Sequence, residues 1–203
     1  MQGYRPVLVT APATLPVTRA LVKVQLDVSY TEKDTLIDGL IAAAVSYLDG
    51  WTGILGRCLE EQTWRQDDDT FWRSFPLPLA PVISITSLKY DDVDGVEQAV
   101  DPANYSLITK ADGCAYVRMI DDFTIPSLKA DGSAPRVRVT YKAGYPQAGS
   151  PAASTVPDAI KQAMFLLIRH WFDNPGAVIV GTNAQAMPMA VDALLAPYRR
   201  VRF

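Results

Sequence analysis

Arg136-Val137-Arg138-Val139-Thr140-Tyr141 alternates polar and apolar side chains at every step. Successive strand side chains point to opposite faces, so this stretch predicts a strand with one buried face and one wet face. Upstream, Ile83-Ser84-Ile85-Thr86-Ser87-Leu88-Lys89-Tyr90 reads as a second strand. Its apolar residues change phase between Ile85 and Leu88, which predicts a bulge. Asp91-Asp92-Val93-Asp94-Gly95 supplies a turn, and Asn104–Ile108 and Ala115–Met119 add two further strands. Nothing between them is suited to be a crossover helix, so antiparallel pairing is expected. Prolines 76, 78 and 81 break any helix on the N-terminal side.

Moving outward, the period changes from two to that of a helix. After a loop at Ala143–Thr155, Val156-Pro157-Asp158 opens a helix running to about Asp173. Ile160, Met164, Leu167, Ile168 and Trp171 mark one face, and Phe165 and Phe172 widen it. Asn174-Pro175-Gly176 ends it, residues 177–187 form a small-residue loop, and a short helix spans Pro188 to about Pro197. On the other side, Thr18 is placed to cap a helix from Arg19 to about Val28. Thr31-Glu32-Lys33-Asp34 reads as a capping-box variant for a helix from Glu32 to Trp51, with Gly53 as its stop. Leu36, Ile37, Leu40, Ile41, Ala44, Val45 and Leu48 form its apolar stripe. The expected fold is therefore α+β: a small helical bundle built from residues 1–58 and 146–203, with an antiparallel β-rich insertion at 59–145. The helices at 32–51 and 157–173 should pack against each other.

The 203 residues are 49% apolar, enough for a core without disulfide or metal support. The longest apolar runs, Leu40–Val45 and Ala163–Ile168, have six residues, far short of the roughly 18 a membrane span needs. Met1–Arg19, with Arg5 and three prolines, does not read as a signal peptide. Cys58 and Cys114 have no metal-motif spacing and are read as reduced thiols. A net charge of −3 argues against a protein built to grip phosphates. Residues 151–203 nonetheless hold five basic and three acidic side chains, and Arg199-Arg200-Val201-Arg202-Phe203 suits an acidic partner.

Little supports catalysis. His170 is the single histidine, so a histidine-rich metal site is excluded. A hydrolase would have to combine it with Ser84, Ser87 or Cys114, yet no G-x-S-x-G elbow is present. The Asp91–Gly95 stretch lacks the first and last ligands of a calcium loop, and Asp67-Asp68-Asp69 reads as a solvated loop. No phosphate-binding glycine motif occurs. No cofactor is expected. Trp64 and Trp72 are candidates for a contact between subunits, or in a second reading for a glycan platform.

Four stretches, in order, carry a family resemblance: Leu15-Pro16-Val17-Thr18 with its helix; Asp34–Ala44 continuing to Trp51-Thr52-Gly53; Leu79–Tyr90 with the Asp-Gly turn; and Tyr141–Tyr145, Val156–Ala163 and Val191–Arg199. They make the chain resemble the head–tail connector (adaptor) proteins of tailed bacteriophages and gene transfer agents. The resemblance implies a structural, non-enzymatic subunit. It implies a ring, usually a dodecamer, below the portal protein, through which DNA passes without sequence-specific binding. It also implies docking of stopper or tail proteins, and a place at the head–tail interface of the virion or phage-like particle after assembly in the bacterial cytoplasm. A stopper or tail-completion protein is the nearest alternative. The β-rich insertion departs from all-helical members. The portal-binding element is expected in the C-terminal segment, with Leu194, Leu195, Tyr198, Arg199, Arg200, Arg202 and Phe203 as candidates. The zone 59–145, through Trp64, Trp72 and exposed strand edges, is expected to contribute to contacts between subunits.

Overall fold

The computed structural model describes residues 4–111, 113–130, 135–150, 152–175 and 189–200. In chain order the elements are β1 (Val7–Thr10), α1 (Arg19–Leu26), α2 (Asp34–Leu48), β2 (Gln62–Asp68), β3 (Ser74–Leu77), β4 (Val82–Asp91) and β5 (Glu97–Ala99). They continue with β6 (Tyr105–Thr109), β7 (Ala115–Met119), β8 (Val137–Ala143), β9 (Gln147–Ala148), β10 (Ala153–Ser154), α3 (Asp158–Asp173) and α4 (Met189–Leu195). The fold is α+β. The chain divides into two compact units, one from residues up to Ala13 plus Glu61–Gly144, the other from Thr14–Glu60 plus Tyr145 onward.

The first unit holds a five-stranded sheet, ordered β1-β2-β8-β4-β5, and a three-stranded sheet, ordered β3-β7-β6. Every pairing is antiparallel. The alternation in β8 sorts as expected: Val137, Val139, Tyr141 and Ala143 are buried, and Arg138, Thr140 and Lys142 are not. β4 bulges against β8 between Ile85 and Ser87, where its apolar phase changes, and again between Val82 and Ser84. Phe71 joins the two sheets, meeting Phe75 of β3 at 5.4 Å and Tyr90 of β4 at 5.6 Å, both edge-on. Such aromatic pairs add to the area they bury.

The sequence reading placed no strand at β1, β2, β3 or β5. Pro76 lies within β3, which an edge strand tolerates because its outer side needs no amide donor. Asp67 is not in a solvated loop: it belongs to β2 and is 4% exposed. It stands opposite Arg138 in the ladder and accepts two hydrogen bonds from Arg65, at 2.7 and 2.9 Å, so cations on its own face compensate its burial.

In the second unit α1, α2, α3 and α4 share one core, and α2 packs against α3. Thr18 caps α1, its hydroxyl accepting from the Leu21 amide at 3.3 Å. The expected capping box does not form. α2 starts at Asp34, and Lys33 takes the cap position without a side-chain bond. Asp34 instead accepts from Lys23 at 2.6 Å and Arg19 at 3.2 Å, two cations that α1 presents to it. Arg19 also binds Asp38. The buried line of α2 is Ile37, Ile41, Ala44 and Leu48, while Leu36 is exposed and Leu40 only partly covered. α2 stops at Leu48 rather than Trp51. Gly53 still fits the turn that follows, because a side chain there would run into the Asp49 carbonyl oxygen.

Candidate functional site

The C-terminal element is too short to stand alone as a helix and docks on its own unit. Val191 and Leu195 of α4 are fully buried in the helical core, and Leu194 and Tyr198 pack partly against it. A 3-10 turn at Ala196–Tyr198 follows. The Arg57 Nε donates to the Tyr198 carbonyl at 2.7 Å, and the Arg200 amide donates to the Leu55 carbonyl at 3.0 Å. The Arg199 guanidinium pairs with Asp192 at 2.5 Å. Tyr145 lies beside this clamp, and burial pushes its hydroxyl above the ordinary range. Leu195 is therefore spent on the chain's own core, whereas Arg199 remains exposed. Arg202 and Phe203 lie outside the described residues.

The two tryptophans differ. Trp64 sits in β2 opposite Tyr141, is 7% exposed and donates its indole N–H to Gln62 at 3.1 Å. It is a core residue of the β unit. Trp72, 37% exposed, donates to Asp68 at 3.0 Å and keeps its ring accessible.

The opposite face of the five-stranded sheet is charged but locally compensated. Arg65 pairs with Asp67, Lys142 with Glu61, Lys89 with Glu97, and Arg138 with both Asp91 and Glu97. Asp91 is held below the usual carboxylate range chiefly by its hydrogen bond to Arg138, and Glu97 chiefly by its bond to Lys89. The neighbouring turn is organised by Asp92 rather than by a cation. One Asp92 oxygen accepts from the Asp94 and Val96 amides, and the other accepts from the Gln98 side chain. Those bonds lower its pKa, the Gln98 bond most.

These depressed carboxylates set an acid limit. A carboxylate with a folded pKa below its unfolded value contributes stability above about pH 4, and loses it as pH falls through the folded value. Thermal melts from pH 7 to pH 2 should therefore be flat down to about pH 4 and then fall. Arg138→Gln should flatten that fall by removing the main cause of the Asp91 shift. An unchanged acid limb in Arg138→Gln would show that these pairs contribute nothing, as many exposed pairs do.

The residues a hydrolase would use do not gather within one unit. His170 belongs to α3 of the helical unit, where its carbonyl accepts from the Asn174 side chain at 2.8 Å. Ser84, Ser87 and Cys114 belong to the β unit. Among the described residues no cluster of three or more His, Cys, Asp or Glu is arranged to hold a metal.

The sequence reading missed Leu55 and Arg57, the clamp on the C-terminal element. No local pattern marks them, because their role is set by a contact more than a hundred positions away. It also passed over β1, although Val7-Leu8-Val9-Thr10 is three-quarters apolar and rich in strand-forming residues.

Comparison with known proteins connects these observations. The chain is similar over 98% of its length to 97% of a chain in three solved particles. The first, the neck of an empty gene transfer agent particle computed with C6 symmetry, gives a TM-score of 0.74 at 24% identity. The second, the virion of a native gene transfer agent particle, gives 0.72 at 24% identity over the same coverage. The third, the neck of a native gene transfer agent particle computed with C12 symmetry, gives 0.66 at 25% identity, again with 98% and 97% covered. No curated protein matches the chain in sequence. The family whose pattern matches is described as head completion protein, and the match spans residues 17–201, from just before α1 to beyond the C-terminal clamp. Since it takes in both sets of helices and the whole segment between them, the chain belongs to the head completion protein family.

Proposed function

We propose that the chain is a head–tail adaptor: a non-enzymatic subunit that forms a ring below the portal protein, extends the DNA channel and docks stopper or tail proteins. The observation that carries this reading is the end-to-end likeness, at 25% identity, to a chain in the neck of a native gene transfer agent particle computed with C12 symmetry. The family assignment supports a structural component at the head–tail junction. A conduit must let DNA slide, and the charged sheet face suits that, since four of its cations are matched by carboxylates. Mass measurement of the purified chain, alone and mixed with the portal protein of the same particle, tests the proposal. A monomer alone and about twelve copies per portal ring are expected. Failure to bind the portal, or six copies bound below a separate ring, would instead favour a stopper role.

Within this reading the portal contact is carried by Tyr198, Arg199, Arg200, Arg202 and Phe203, with Leu194 at its margin. Deleting residues 197–203 would also cut the clamp on Leu55 and Arg57. A cleaner test ends the chain after Arg200 and adds Arg199→Ala. The melting temperature should hold while portal affinity falls about tenfold or more, the loss expected if even one of the three removed side chains, Arg199, Arg202 and Phe203, is a well-placed interface anchor. Unchanged affinity would place the anchor elsewhere.

A further inference from the structure

Among the described residues the five-stranded sheet ends in two edges with no further strand paired to them, β1 on one side and β5 on the other. β1 carries no charged residue, and Val7, Leu8 and Val9 are 43%, 45% and 53% exposed. An accessible apolar edge strand is a template for another strand; of the devices that blunt such edges, β1 has a bulge at Val9 but no charge. At the far edge, Val93 and Val96 beside β5 are 60% and 54% exposed.

What covers β1 follows from symmetry, given the ring proposed above, on which this inference rests. In a closed ring of more than two copies, neighbours meet through two different surfaces. β1 therefore does not meet β1. Strand addition needs another row of open backbone groups; β3 and β6 edge the three-stranded sheet, and β5 is the edge that would continue the sheet of β1 itself. Of the charged groups at the two strand starts, exposed Arg5 precedes β1 and exposed Asp94 precedes β5, with the Lys129 side chain of the same copy lying against Gly95 between Asp94 and the strand. Direction agrees with this pairing. Four antiparallel steps separate β1 from β5, so the two strands run the same way within one sheet. Neighbours in a twelvefold ring differ by a rotation of only about 30°, which nearly preserves strand direction. The pair formed between copies is then parallel, and it sets Arg5 beside the Asp94-Gly95-Val96 turn.

We infer that β1 of one copy adds, in parallel, to β5 of the next, so that the five-stranded sheets join into one belt around the ring. The test uses the full chain with portal protein, on a Cys114→Ser background. Val9→Cys combined with Ala99→Cys should give a ladder of covalent multimers in assembled rings, while neither single variant should. Leu8→Lys, at an exposed position, should keep the wild-type melting temperature and lower the ring population about tenfold. Complete rings with Leu8→Lys, without a ladder from the double variant, would overturn this inference and leave the ring reading standing. A covalent dimer from Val9→Cys alone would overturn it in favour of a two-fold contact. A wild-type chain that never assembles beyond one copy would remove the ring reading and this inference together.

Discussion

Leu167→Ala is expected to cost the helical unit about 2–5 kcal/mol and lower its melting temperature by about 10 °C or more. Leu167 lies in the core shared by the four helices and is 2% exposed. Truncation removes a buried isobutyl group and leaves a cavity that packed helices close only in part. Leu40→Ala is the internal comparison. Leu40 lies on the same stripe by spacing but is only partly covered, so its loss should cost about 1 kcal/mol or less. Ile41→Ala, one position on and buried, should behave like Leu167→Ala. Calorimetry on the three variants checks the order. Equal costs for Leu40 and Ile41 would mean that α2 is rotated about its axis from the arrangement described.

Phe71→Ala should be the most damaging single change in the β unit, at about 3–5 kcal/mol. Phe71 touches Phe75, Tyr90 and Phe123, the last stacked at 5.7 Å, and so is the hinge of contact between the two sheets. Each sheet keeps its own backbone ladder without Phe71, so secondary structure by far-ultraviolet circular dichroism should persist while packing loosens. Amide exchange should accelerate in β3, β4 and β7. Exchange rates equal to wild type there would show that other contacts hold the sheets together.

The elements legible in the sequence are those whose pattern repeats locally. The strict alternation of Val137, Val139 and Tyr141 with Arg138, Thr140 and Lys142 fixes which face of β8 is buried, and the phase change after Ile85 marks a bulge that is present. The stripe from Ile160 to Ile168 likewise locates α3. Where the reading failed, a distant partner decides. Asp67 looks like one of three solvated acids until Arg138 and Arg65 are placed on its face. The burial of Trp64 is likewise set at a distance, by β8, which places Tyr141 opposite it. Capping at Asp34 is overridden by Lys23 and Arg19 of another helix. The C-terminal candidates were half legible: the need of a short helix to dock can be read from its length, but its acceptor at Leu55 and Arg57 cannot.

The order in which the chain threads its two units bears on how it is made. Synthesis delivers β1 first, yet its partner β2 emerges some fifty residues later, after α1 and α2 have passed. Those two helices in turn wait for α3, more than a hundred residues downstream, before Ile37, Ile41 and Leu48 can be covered. The β unit closes only when β8 emerges, and the helical unit only when α3 and α4 follow, so each waits open on a distant segment during translation. Long-range closure of this kind is slow and leaves apolar stripes bare to the cytosol. Nascent chains should accordingly be strong clients of holding chaperones, and stalled ribosomes bearing residues 1–150 should carry a protease-sensitive helical pair that becomes resistant only when α3 is added.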